Sequence, residues 1–141
     1  MILDGFAAEA AAISGLGLVF DETGATGNVF VEHLPQAPGL VVGIFSSGGP
    51  EGDSLEPYDV PSVQMQLRGA DKDPRPILLV WYALYSHFHG LRNKTLPDGT
   101  YLVYSLATQS SPVRIGPDDN GRAQYSLNLR CEVRSSTEHR P

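Results

Sequence analysis

Cysteine is nearly absent. Cys131 is the only one, which excludes an internal disulfide framework and a cysteine-rich zinc site. No apolar run approaches the ~20 residues that a membrane-spanning helix needs. The start, Met1-Ile2-Leu3-Asp4, lacks the basic region of a secretory signal, so the expectation is a chain made in a reducing cytoplasm. The shortage of one sign of charge says more. Residues 1–67 carry nine acidic side chains and no Lys or Arg. The first cation is Arg68, and from there ten basic residues stand against seven acidic ones. The net charge of −6 argues against a dedicated duplex-DNA binder, which shows a basic footprint. Two readings fit the split. Composition drifts in small proteins, or the subunit is polar and its acidic side meets a neighbour's basic side, a heterologous contact that closes into rings.

What is present is turn chemistry and short apolar periods. A chain of 141 residues suits one domain, and 15 Gly with 11 Pro favour a sheet-rich fold over a helical bundle. Leu3, Phe6, Ala10 and Ile13 recur at helical spacing, and Gly15 and Gly17 stop that helix. Leu18–Phe20 is extended, residues 28–34 read as a strand ended by Pro35, and residues 39–45 read as a strand buried on both faces. The stretch 46–60 has three Gly, two Pro and four acidic residues without a period, and reads as a long functional or mobile loop. Residues 61–68 alternate, with Val63, Met65 and Leu67 on one side.

A second helix follows, capped by Asp71 or Asp73 with Pro74 at its first position. Ile77, Trp81, Leu84, Tyr85, Phe88 and Leu91 form its apolar stripe, and Gly90 ends it. Leu79 and Tyr82 lie off that stripe, so the first helix or another subunit must cover them. Residues 101–106 and 123–133 read as antiparallel strands, with Asp119-Asn120-Gly121 as a tight hairpin turn. From Ser135 the chain has no apolar anchor and is expected to fray.

The search for chemistry returns little. The Gly-rich stretch 46–53 is acidic and has no Lys after its glycines, so it repels phosphate. His87 and His89 are two residues apart on a helix and cannot converge on one ion, and His33 and His139 do not complete a set. Asp118-Asp119-Asn120 lacks the alternating ligands and later Glu of a calcium loop. Cys131 falls on an inward face without a basic neighbour and is expected to be inert. Tyr101, Tyr104 and Tyr125 lack interleaved cations and are assigned to core packing rather than base stacking. The expectation is a non-enzyme without metal or cofactor.

The order of the short motifs is familiar. Val29-Phe30-Val31 with Leu34-Pro35, Gly48-Gly49-Pro50, Pro61, Val63-Gln64, Arg68-Gly69, His89-Gly90-Leu91, Ser111-Pro112, Gly116 and 118–122 together resemble the tail terminators of long-tailed bacteriophages. These are often labelled phage minor capsid proteins. The resemblance spans residues 1–134, taken as a single domain, and leaves 135–141 as a flexible tail. It implies an α/β (α+β) fold with a mixed, mainly antiparallel sheet packed against two helices. It further implies a homohexameric ring in the virion neck that caps the tail tube, ends tube polymerisation and offers a docking surface for head attachment.

The implied partners are other copies of the chain, the tail tube protein and a head-completion or connector protein, with DNA only passing through the lumen and no membrane. Candidate subunit contacts are Arg68, Lys72, Arg75, Leu79 and Tyr82; for Arg68, a salt bridge to Asp71 or Asp73 is the competing reading. Candidates for the partner-contact loop are Glu51, Asp53, Glu56 and Asp59, and for a second contact hairpin Arg114, Asp118, Asp119 and Arg122. Another neck, head-completion or minor capsid component is the alternative function. A small-ligand module would need converging polar groups around a pocket.

Overall fold

In the computed structural model, which describes residues 1–141, two helices lie on one face of an eight-stranded sheet. The order is α1 (Ile2–Ala11), β1 (Val29–Val31), β2 (Val41–Ser46), β3 (Tyr58–Asp59), β4 (Ser62–Arg68), α2 (Arg75–Phe88), β5 (Arg92–Thr95), β6 (Tyr101–Ala107), β7 (Val113–Arg114) and β8 (Gln124–Arg134). Across the sheet the path runs β1-β2-β4-β8-β6-β5, with the short β3 and β7 also pairing with β8. Only β1–β2 is parallel among the paired strands. The fold is therefore α+β with a mixed, mainly antiparallel sheet. Its centre is β8, eleven residues long, which takes β3 and β4 on one side and β6 and β7 on the other.

Strand alternation sets the core. Val63, Met65 and Leu67 of β4 and Leu127, Leu129, Cys131 and Val133 of β8 face the helices and are buried. Ile77, Trp81, Leu84 and Phe88 of α2 meet them, each stabilising the fold by roughly 1.5–3 kcal/mol through burial. The Trp81 indole N–H donates to the Ser126 carbonyl at 2.8 Å, which fixes α2 against β8. The small residues of α1 let it sit close to β1 and β2, and its Phe6 ring meets Phe88 at 5.6 Å. Gly5 lets α1 lie against the β5–β6 turn, where a Cβ would displace the Asp98 carboxylate. No helix covers the other face. Side-chain amides bond along it from Gln66 to Gln64 (2.9 Å), Gln64 to Asn128 (3.0 Å) and Asn128 to Gln109 (2.9 Å).

Several boundaries differ from the sequence reading. The strand expected over 28–34 stops at Val31, because Glu32 adopts φ 55° and its carboxylate takes the Ser46 N–H at 2.7 Å. The second helix starts at Arg75 with Pro74 at the N-cap position. Asp71 accepts the Asp73 N–H and Asp73 accepts the Arg75 N–H, so both acids shape the approach to the helix. In the expected Asn-Gly hairpin only Gly121 takes a positive φ (75°), and the Asp118 carboxylate organises the turn. β3, β5 and β7 were not expected. Tyr125 is half-buried against the core, whereas Tyr101 is exposed and Tyr104 lies on the uncovered face, donating to Glu132 at 2.5 Å.

Candidate interaction surfaces

The loop from 47 to 57 leaves the sheet between β2 and β3, and its residues 51–56 are all exposed. The Asp53 carboxylate accepts the Leu55 and Glu56 N–H groups at 2.7 and 2.8 Å; these bonds, Glu56's first, hold it below the usual carboxylate range. Arg140 clamps the base of the loop. It grips the Asp59 carboxylate at 2.9 and 3.0 Å and donates to the Asp53 and Glu56 carbonyls at 2.9 and 3.3 Å. The anchor of the last residues is thus polar, where no apolar one was legible. Of the four acids expected to meet a partner, Asp53 and Asp59 shape the loop, while Glu51 and Glu56 are exposed without a side-chain hydrogen bond or ion pair. Leu55 stands among them with 82% of its surface exposed.

The hairpin between β7 and β8 divides in the same way. Asp118 accepts the N–H groups of Asn120 and Arg122 at 3.0 and 2.8 Å and the Arg122 Nε at 2.7 Å. Shielding from water alone would raise its pKa; the bonds from Arg122 outweigh that and lower it. Arg122 continues to the Gln36 carbonyl and side-chain oxygen, both at 2.8 Å. Asp118 and Arg122 are therefore built into the fold. Arg114 and Asp119 are exposed and unpaired.

Of the residues assigned to subunit contact, Arg68 is removed by its burial, with 1% of its surface exposed. Its guanidinium donates to the carbonyls of Gln36, Pro38 and Gly39 at 3.2, 2.8 and 3.4 Å, so it pairs with neither Asp71 nor Asp73. Burial, together with the nearby Arg122 charge, lowers its pKa. Arg75 is spent on Asp73, at 3.1 Å. Lys72 is exposed, with its stem beside Gly121. Leu79 and Tyr82 remain uncovered, 72% and 50% exposed, on a helix that has no Asp, Glu, Lys or Arg after Arg75.

One cluster was missed. Glu9 of α1 is buried and its Oε1 accepts from Lys94 Nζ at 2.7 Å and meets His87 Nε2 at 2.8 Å. Burial raises the Glu9 pKa, but Lys94 and His87 together bring it below the ordinary value. The signal was present: Glu9 lies three residues after Phe6, on the apolar stripe, where a carboxylate needs a partner. His89 is separate from this cluster; its Nδ1 accepts the Ala107 N–H at 3.0 Å. No three His, Cys, Asp or Glu side chains converge as a metal-ligand set. Burial pushes the Cys131 thiol up to about 12, so it is protonated at neutral pH. No helix is long and apolar enough to cross a membrane.

The exposed surfaces are thus an acidic loop with an apolar tip, a hairpin and an uncharged helix face, held by a sheet with one uncovered side. The model of a family described as bacteriophage tail terminator protein matches residues 12–134. The chain belongs to the bacteriophage tail terminator family. No curated protein matches it.

Proposed function

We propose that the protein is a structural component of the virion neck that forms a homohexameric ring on the end of the phage tail tube. The ring ends tube polymerisation by occupying the acceptor surface of the last tube ring without offering another. Its far side is the surface for head attachment through a head-completion or connector protein. The match across residues 12–134 carries this reading. Its surfaces support it, since a ring between tube and head needs separate contacts for tube, head and neighbouring copy.

The exposed tip 51–56, with Glu51, Leu55 and Glu56, is assigned to the tube, and the hairpin with Arg114 and Asp119 to the head side. Leu79, Tyr82 and Lys72 are assigned to neighbouring subunits. An acidic lining contributed by the 51–56 tip would repel DNA phosphates and let the genome pass through the lumen without sticking. The role is mechanical and needs no cofactor or catalytic group. Polymerising the tube protein with and without this chain tests the reading. Arrested growth at a defined length or at added ends is expected; unchanged length distributions at saturating protein would contradict it.

A further inference from the structure

The acidic first half of the chain builds β1, β2 and β4, and the later half builds β8, β6 and β5. The sheet path is β1-β2-β4-β8-β6-β5, so the strands of the acidic half stand together, while α1 reaches β5, where Glu9 meets Lys94 at 2.7 Å. At the β1 edge lies a groove of about 230 Å³ whose lining includes Asp4, Asp21 and Glu22 beside Phe20, Phe30 and Val31. The Asp21 carboxylate is held ionised by bonds from Thr23 and Thr26, with its pKa lowered to about 2. Asp4 meets the N-terminal ammonium at 3.2 Å, and Glu22 is exposed without an ion pair. Lys and Arg are absent from residues 1–67, which build this edge.

At the opposite edge a second groove is lined by Arg92, Val103, Tyr104 and Leu106. Arg92 stands across from Tyr104, and Arg130 across from Leu106, on the sheet face that no helix covers. Both arginines are exposed and neither has a carboxylate partner; the nearby Glu132 is engaged by the Tyr104 hydroxyl. Exposed arginine beside tyrosine and aliphatic surface is the composition that anchors protein interfaces.

We infer that the β5 edge of one copy docks on the β1 edge of the next, with Arg92 meeting Glu22 and Asp4 over the apolar floor of the β1-edge groove. This rests on the ring reading and names its seam. The occupant is a second copy because the unpaired Glu22 at one edge and the unpaired Arg92 at the other are complementary, and each stands beside apolar surface. The two patches are different surfaces of the chain, so the contact is head-to-tail and repeats around a ring. Strand addition is not the means of joining. Asn93 has φ 52° and interrupts the β5 ladder, while Phe20 bridges Val29 beside β1. Side chains make the seam, and it is therefore salt-sensitive.

The test uses the full chain with purified tail tubes, reading assembly by native mass and by images of tube ends. Arg92→Glu and Glu22→Arg are each expected to lower ring yield about tenfold, and the double exchange to restore it. Glu22→Cys combined with Arg92→Cys is expected to give covalent multimers on oxidation only when both thiols are present, since Cys131 is buried. Wild-type rings with no covalent multimers and no effect of either charge reversal would overturn the seam and leave the ring standing. A wild-type chain that forms no ring with tubes present would overturn both.

Discussion

Arg68 at the end of β4 and Arg122 just before β8 approach the segment 36–39 from two strands and satisfy its carbonyls. That segment links β1 to β2, so the two guanidiniums hold the acidic edge of the sheet to its centre. Arg68→Met leaves those carbonyls short of donors and is expected to cost roughly 2–4 kcal/mol, read from urea unfolding. Glu9→Gln removes the carboxylate that Lys94 and His87 share; with Lys94 partly in water the expected loss is about 1–2 kcal/mol at neutral pH. The folded pKa of Asp21 is about 2 against an ordinary 3.8. Its contribution is therefore complete above pH 3.8 and lost as the pH falls toward 2. Thermal midpoints of Asp21→Asn across that window should fall less steeply with acid than those of the native chain. At this scale the sequence was partly legible. Charge marked Arg68, Asp118 and Arg122 as notable, but burial is a tertiary fact: both arginines proved to be buried, and Asp118 is spent on Arg122.

Elements were more legible than single residues, because period is a local signal. The stripe Ile77, Trp81, Leu84 and Phe88 and the long alternation of β8 both found the core. β5 was invisible because Arg92, Asn93, Lys94 and Thr95 are all exposed and carry no period. β3 and β7 have two residues each, too few to show one, and form only because β8 offers its edges. The clamp of Arg140 on the 51–59 loop links residues 81 positions apart, beyond any local pattern. Arg140→Ala is expected to change global stability by less than about 1 kcal/mol. It should nonetheless raise protease cleavage and amide exchange within 51–59, since the loop loses its only side-chain grip from the tail. Leu79→Ser with Tyr82→Ser tests the α2 face. Both side chains are exposed, so the monomer should keep its stability within about 0.5 kcal/mol while assembly on tubes is lost.

For the whole molecule, the charge split in the sequence follows the strand order only in part: β1, β2 and β4 come from the acidic half, but Glu9 of α1 meets Lys94 of β5 and Asp59 meets Arg140. Which surface meets which partner was not legible. Exposed groups such as Glu51, Glu56, Arg114 and Asp119 have no intramolecular partner whose position would reveal their use. The family supplies the setting, a phage tail. The most direct measurement is electron microscopy of purified tail tubes mixed with the protein, with native mass of the material released from tube ends. The account predicts a six-fold ring seated on one end of each tube and a released species of six times the 15.2 kDa chain mass. Bare tube ends with the protein left monomeric at saturating concentration would contradict it.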